Sequence, residues 1–324
     1  MIAREERGLA ISHSLLLPLA LIGASASLSV AAREAVPDPE EEVVVTARRS
    51  GAPMWTIETS AGVVLLVGEI TNVPQTAPWR PERLEAAATG AQRIILGTKA
   101  KVSPGDILRI IFKGGKLTKL PEKGVVSDYL DSERLARLRA LEARYGQSYD
   151  RGNFLMTAFD LLSKRLAFSK DTTEDATDVV RKSARRADIP TRPVGEVRGK
   201  DILDNLFAMA PAGHLPCLDA AMAAAEIGPD IVTARGTAWT RFDIPAVMGN
   251  PLEAALGRCW PWTNDSFGSA LRGQWIEAID EALVQPGVTL AVVPVRVLAE
   301  SDGVLDRLER RGLSVKGPRW RAER

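Results

Sequence analysis

Two short polar segments follow the most apolar runs of the chain, and their side chains are the first candidates for chemistry. Residues 63–67 are continuously apolar and lead into Gly68, Glu69 and Thr71, and residues 288–295 lead into Arg296. Open α/β sheets bind ligands at the carboxyl ends of their strands. If the two strands are neighbours, Glu69 and Arg296 can meet. The alternative is that both segments are ordinary strand exits with solvated polar side chains.

Histidine is scarce in this chain of 324 residues. His13 lies near the N-terminus, and His214 is the only other histidine. Only one histidine therefore lies outside the N-terminal segment. It cannot by itself form a two-histidine zinc motif or a histidine-rich metal site, and a Ser-His-Asp triad is not expected either. His214 follows Pro211 and Gly213 near a predicted helix start, and we expect a surface or capping residue there rather than a catalytic one.

The absence of several motifs excludes further classes of protein. The chain has no Walker-type phosphate loop, no strand followed by G-x-G-x-x-G, no G-x-S-x-G and no C-x-x-C. Its formal net charge is +1 and aromatic residues make up 5%. Composition therefore gives no electrostatic argument for nucleic acid or an anionic membrane, and no nucleic-acid partner is predicted.

The N-terminus has the pattern of a signal peptide. Arg4 and Arg7 precede the apolar residues 15–26, a run too short to span a bilayer comfortably, and small residues then allow cleavage near Ala32 or near Ala26. We expect a periplasmic or secreted protein with no transmembrane segment after cleavage. The alternative is a short anchor helix that is never cut. Residues 33–42 form a proline-containing acidic linker, and one domain is predicted over residues 43–320.

The two cysteines, Cys217 and Cys259, form an even pair in a chain predicted to be exported. An oxidising compartment favours a disulfide between them. The alternative is two buried free thiols.

Strand patterns lie at both chain ends and helical patterns lie between them. Strands are predicted at residues 43–48, 54–59, 63–70, 94–96, 107–112, 288–295 and 313–316. Helices are predicted after residue 128, with Asp131 or Ser132 as N-cap and Gly146 as terminator, and at residues 153–168, 174–187, 200–209, 216–227, 267–283 and 301–311. The predicted fold class is α/β (α+β), with a central mixed sheet built from both chain ends, flanked by helices, and a helical middle lobe.

Several motifs resemble the TraB/GumN family, which is similar to the wider group of Tiki-type, ChaN-type and erythromycin-esterase-type proteins. The matching segments are Pro53-Met54-Trp55, the G-x-x-H-like stretch from Gly68 to Thr71, Gly195-Glu196, Ala238-Trp239, Arg272 with Trp275, the second G-x-x-H-like stretch from Val293 to Arg296, and residues 302–308. The resemblance covers residues 54–318. Thr71 and Arg296 stand where the family has its two histidines.

The resemblance implies a metalloprotease-like domain whose relatives hold a divalent metal with the paired histidines. Because both histidines are replaced, no cofactor is predicted and a divalent metal is not expected. Arg296 would repel a metal cation and can instead bind an anion or pair with Glu69 or Glu196. The favoured hypothesis is a pseudoenzyme of the cell envelope that binds a peptide, a polysaccharide or a protein.

Two alternatives stay open. One is a hydrolase with a rewired site, in which Glu69 and Glu196 act as acid and base or ligate manganese or calcium, and Arg272 or Arg296 stabilises an oxyanion. The other is an accessory factor in exopolysaccharide biosynthesis, a role that the family name suggests by association and not by mechanism.

Overall fold

The computed structural model describes residues 51–77 and 79–322. The predicted signal peptide, linker and first strand (residues 43–48) lie outside these residues. Within them, no helix is long and apolar enough to cross a bilayer.

The central feature is a six-stranded mixed sheet whose strand order is β5-β3-β7-β2-β1-β8. A second, two-stranded sheet pairs β4 with β6. The strands are β1 (Met54–Glu58), β2 (Gly62–Glu69), β3 (Arg93–Leu96), β4 (Lys99–Lys101), β5 (Thr191–Pro193), β6 (Glu196–Arg198), β7 (Gly287–Pro294) and β8 (Val315–Lys316). Strands from both chain ends therefore share one sheet, as predicted.

The two longest strands, β2 and β7, lie side by side in the middle of this sheet. They are parallel, and their register runs from Gly62 opposite Gly287 to Glu69 opposite Pro294. Both strands therefore end at the same edge of the sheet, which brings together the two polar segments singled out in the sequence.

Helices surround the sheet and build the middle lobe. They are α1 (Glu82–Gly90), α2 (Pro104–Lys113), α3 (Gly115–Thr118), α4 (Ser132–Tyr145), α5 (Phe154–Asp160), α6 (Ala176–Arg186), α7 (Gly199–Ala208), α8 (Leu215–Ile227), α9 (Asp230–Thr240), α10 (Ile244–Met248), α11 (Pro251–Arg258), α12 (Asp265–Leu283), α13 (Val295–Ala299) and α14 (Val304–Arg310). A single π-helical turn, Leu161–Arg165, continues α5. The mixed α/β class is confirmed.

The apolar side chains form two cores. One covers the sheet and includes Trp55, whose indole Nε1 donates to the Pro318 carbonyl at 2.7 Å and so joins the two ends of the domain. The other fills the helical lobe between α4, α5, α8 and α11. In this second core Cys217 and Cys259 are joined by a disulfide with a Cα–Cα distance of 4.5 Å, which confirms the predicted pairing.

Two sequence-based predictions are wrong. Residues 107–112 are not a strand but the body of α2, because Pro104 opens a helix and Ser103 forms a reciprocal capping box with Asp106. His214 is not a surface residue: it is 3% exposed at the start of α8, its side chain makes no cap hydrogen bond, and burial lowers its pKa.

Candidate functional site

A cleft of about 200 Å³ opens where β2 and β7 end. Its polar wall carries Glu69, Thr71, Arg235, Glu253 and Arg296. Its apolar wall comes from the helical lobe and the loop after α11, with Phe159, Leu256, Trp260 and Trp262. The cleft therefore lies at the carboxyl ends of central parallel strands, where ligands bind in open α/β sheets.

A buried ion triad forms the floor of this cleft. The Glu253 carboxylate accepts a hydrogen bond from Arg235 Nε at 2.6 Å and is also bonded to Arg296 Nη2. The side chains of Arg235, Glu253 and Arg296 are 3%, 3% and 9% exposed. Two guanidinium groups thus share one carboxylate, and the triad carries a net positive charge.

Three elements bring the triad together. Arg235 lies on α9, Glu253 on α11, and Arg296 in the first turn of α13, directly after β7. The buried Asn250 fixes α11 on α9, because its Nδ2 donates to the Ile231 carbonyl at 3.0 Å while its Oδ1 caps α11 through the Leu252 N–H.

The end of β2 is fixed by a second pair of contacts from α9. Trp239 is fully buried and its Nε1 donates to the Gly68 carbonyl at 2.7 Å. One turn earlier, Arg235 Nη1 donates to the Thr71 carbonyl at 3.1 Å. Gly68 also packs on the Trp55 ring, where an added Cβ would lie 2.9 Å from the ring. Helix α9 therefore positions both the strand end and one guanidinium.

Two nitrogen atoms of Arg296, Nε and Nη1, have no hydrogen-bond acceptor among the residues that the structure describes. The Nη2 atom of Arg296 bonds to Glu253. The guanidinium carbon lies 5.7 Å from the centre of the Trp262 ring. On its other side α11 presents Gly257, where a Cβ would lie 2.8 Å from Nη1. The unused donors of Arg296 are thus available to a molecule in the cleft.

Burial and charge oppose each other within the triad. Burial favours the neutral form of Glu253, but the charges of Arg235 and Arg296 outweigh it, so the pKa of Glu253 is lowered and the carboxylate stays ionised. Burial lowers the pKa of Arg296, and Glu253 opposes that shift. The Glu253 carboxylate therefore favours the charged form of the Arg296 guanidinium.

Glu69 has the opposite behaviour. Burial raises its pKa to about 7, and the neighbouring Asp175 carboxylate adds to the shift. Glu69 Oε1 accepts a hydrogen bond from the Thr177 N–H at 2.7 Å, at the N-terminus of α6. This carboxyl group therefore changes charge near neutral pH. The sequence suggested that Glu69 could pair with Arg296, but no hydrogen bond or ion pair joins these two side chains.

The remaining candidates are placed around the cleft or away from it. Thr71 lines the cleft, and its backbone contacts Arg235. Arg272 lies beside the cleft: its Nε donates to Glu300 Oε1 at 2.6 Å, and its guanidinium lies 5.3 Å from the Trp262 ring centre. Glu196 does not join Glu69, because it is exposed on β6 and pairs with Lys101.

Arg235, Glu253 and Asp175 were not among the site residues predicted from the sequence. Arg235 precedes Trp239, which belongs to the matched Ala238-Trp239 segment, by four residues, and this spacing places both side chains on one face of a helix. That spacing was an available signal. No sequence signal marked Glu253 as a site residue, because its position three residues after Asn250 resembles an ordinary capping box.

The polar groups of the cleft suit an anion better than a divalent cation. Within the described residues, no group of three or more His, Cys, Asp or Glu side chains could hold a metal ion. Glu253 already bonds to two guanidinium groups. A cation placed beside Glu253 would face both arginines, and Coulomb repulsion would oppose its binding.

The fold and site define a class: an α/β domain with a polar cleft at the carboxyl ends of two central parallel strands. The chain belongs to the TraB/PrgY/gumN family, whose model matches residues 53–317. This confirms the resemblance inferred from the motifs. No curated protein and no solved structure matches the chain.

Proposed function

We propose that the protein is an exported, catalytically degenerate member of its family whose cleft binds the carboxylate group of an envelope peptide, protein or acidic polysaccharide. The observation that carries the proposal is the ion triad, in which Arg235 and Arg296 share Glu253 while Nε and Nη1 of Arg296 donate to no residue of the described part of the chain. Guanidinium groups bind carboxylates through charge-assisted hydrogen bonds, which are about twice as strong as neutral ones.

The size of the cleft limits what enters it. A volume of about 200 Å³ is below the range of roughly 300–1,000 Å³ that holds a drug-sized ligand. We therefore expect the cleft to bind only an end group of a larger molecule, such as the C-terminal residue of a peptide or a single uronate. Phe159, Trp260 and Leu256 supply apolar surface for the carbon atoms of such a group.

The replaced family positions support binding rather than metal-dependent hydrolysis. Arg296 stands at one histidine position and supplies a buried cation, and Thr71 stands at the other. A metal-activated water needs an open coordination site on a bound cation. The residues of this cleft do not fit that requirement, so no metal takes part in the proposed function.

The test is calorimetric titration of the purified protein with small carboxylate probes. N-acetyl-alanyl-alanine is compared with its C-terminal amide, and galacturonate represents an acidic sugar. We expect the free acid to bind and the amide to bind at least about tenfold more weakly, because only the acid accepts charge-assisted hydrogen bonds. Comparing the dipeptide with galacturonate distinguishes a peptide terminus from a uronate.

Arg296→Gln is the decisive variant, and Arg311→Gln is its matched control. Arg311 also pairs with one carboxylate, that of Asp280, but on the surface away from the cleft. Arg296→Gln should abolish carboxylate binding while Arg311→Gln leaves it unchanged. Equal affinity for the acid and its amide, or unchanged binding in a folded Arg296→Gln variant, would overturn the proposal.

One observation favours a second candidate, a hydrolase that uses Glu69. A carboxyl group with a pKa of about 7 is suited to general acid or base catalysis at neutral pH. Glu69 lines the same cleft as Arg296, which would then bind the developing oxyanion. Activity on acyl or glycosyl substrates that is lost in Glu69→Gln and follows a pKa near 7 would support this candidate over simple binding.

A further inference from the structure

Helix α2 is packed with its polar face toward the protein. Asp106 is 5% exposed and its carboxylate accepts hydrogen bonds from the Ser103 N–H and hydroxyl, both at 2.8 Å. Arg109 Nη2 donates to Asp204 of α7 at 2.5 Å, and its guanidinium lies 5.9 Å from the Phe207 ring centre. The inner side of α2 is therefore held by polar contacts.

The opposite face of α2 is apolar and exposed. Ile107 and Leu108 are each 53% exposed, Ile111 is 67% exposed and Phe112 is 82% exposed. Residues three or four positions apart lie on the same side of a helix, and this set contains such pairs, so its members form one stripe along α2. Soluble helices normally turn such a stripe inward, and a clustered apolar surface of this kind marks an interaction site.

Basic residues are concentrated in the segment of the chain that contains α2. Residues 99–119 contain six lysines and arginines and a single acidic residue, Asp106, whereas the whole chain has a net charge of only +1. Lys99, Lys113 and Lys119 are exposed, and they form no ion pair with a residue in the described part of the chain. The acidic side chains nearby on β6 and α7 each pair with a basic residue.

This charge distribution selects the occupant. A second copy docked by the same stripe would bring two equally basic segments together, which Coulomb repulsion opposes. Anionic lipid headgroups attract lysines, while the acyl boundary accepts Ile, Leu and Phe side chains. We propose that α2 lies in the interface of an anionic membrane, with Ile107, Leu108, Ile111 and Phe112 inserted and the flanking lysines at the headgroups.

The first experiment is flotation of the full chain with vesicles. Vesicles of phosphatidylcholine mixed with phosphatidylglycerol should bind the protein, and added salt should weaken binding because screening shortens the reach of the lysine charges. Ile111→Ser combined with Phe112→Ser should reduce partitioning at least about tenfold, since two large apolar side chains are lost. Lys113→Gln with Lys119→Gln should weaken binding to the anionic vesicles alone.

The matched control combines Ile227→Ser with Val284→Ser. These residues are also large, apolar and exposed, at 60% and 73%, but they lie on other helix ends. The control variant should partition like the parent chain, and all variants should keep the parent's circular dichroism spectrum and thermal midpoint. Equal loss in the control would overturn the assignment to α2.

A local probe makes the test independent of any lipid affinity of residues 1–50. Phe112→Cys introduces a free thiol, since both native cysteines are in the disulfide, and it can carry an environment-sensitive fluorophore. Its emission should shift to the blue with anionic vesicles and not with phosphatidylcholine alone, while the same label at Val284→Cys should not respond. Absence of the shift, or a shift caused by dimerisation in lipid-free solution, would overturn the proposal.

Discussion

Arg296 and Glu253 form a buried ion pair across the cleft floor, although they lie on helices separated by α12 and β7 in the chain. Arg235 also bonds to this carboxylate, so one negative charge faces two positive charges. Breaking a buried ion pair leaves an uncompensated charge, which destabilises a protein far more than the loss of a surface pair. The triad of Arg235, Glu253 and Arg296 is therefore both a structural element and the source of the excess positive charge in the cleft.

The first prediction concerns Glu253→Gln. Removing the carboxylate charge leaves Arg235 and Arg296 buried and facing each other, so the free energy of unfolding should fall by about 3–5 kcal/mol. Urea denaturation followed by circular dichroism measures this change. Glu281→Gln, which breaks the surface pair with Arg192, is the control and should lower stability by less than about 1 kcal/mol.

The second prediction uses the same variant to measure the anion affinity of the cleft. In Glu253→Gln both guanidinium groups lack their counterion, so acetate should raise the thermal midpoint more than it does in the parent protein. Ligands that bind only the folded state stabilise it by mass action. Adding Arg296→Gln should remove most of the acetate response. A response that persists without Arg296 would place the anion elsewhere.

The third prediction concerns pH. The ordinary pKa of a glutamate is 4.5, and burial raises that of Glu69 to about 7. Between these values the folded state binds a proton that the unfolded chain has released, so the free energy of unfolding should fall as pH rises from about 4.5 to 7. The loss attributable to Glu69 should reach up to about 3 kcal/mol above pH 7.

Glu69→Gln tests this dependence without losing the hydrogen bond. The Gln carbonyl can still accept from the Thr177 N–H, but it carries no charge beside Asp175. The variant should be more stable than the parent protein at pH 8 and nearly equal to it at pH 4.5. A parallel pH profile in both proteins would show that Glu69 titrates normally.

Much of the fold could be predicted because its signals are local. The apolar runs at β2 and β7 indicated buried strands, and Asp131 with Gly146 marked the ends of α4 as the structure has them. Segments outside the central strands were harder to predict. Residues 107–112 are β-branched and aromatic enough to suggest a strand, but the Ser103 capping box commits them to a helix.

The candidate site could be predicted only in part, because its partners are distant in sequence. The strand ends located Glu69, Thr71 and Arg296 in one cleft. The counterion of Arg296 could not be found, since Glu253 is 43 residues away and meets it only through the packing of α11 against α13. Pairing of Arg296 with Glu69 was reasonable from strand order, yet Glu69 instead accepts a hydrogen bond from the Thr177 N–H at the N-terminus of α6.

The fourth prediction concerns the disulfide between Cys217 and Cys259. It closes a loop with a sequence separation of 42, for which the chain-entropy model gives about 3–4 kcal/mol of stabilisation. Cys259 also lines the cleft. The Cys217→Ser/Cys259→Ser double variant should therefore unfold at a lower urea concentration and bind the carboxylate probe more weakly. Reducing agent should lower the stability of the parent protein and leave that of the variant unchanged.

The fifth prediction concerns Trp239, which ties α9 to the end of β2. Trp239→Phe keeps most of the buried ring surface but removes the hydrogen bond to the Gly68 carbonyl, which leaves a buried acceptor without its donor. Stability should fall by about 1–3 kcal/mol. Because Gly68 precedes Glu69 and Arg235 lies one turn from Trp239, carboxylate binding should weaken as well. Trp320→Phe is the control: it loses an indole hydrogen bond to Asp306 on α14 and should leave binding unchanged. Equal effects of both variants on binding would show that the strand end is not held by Trp239.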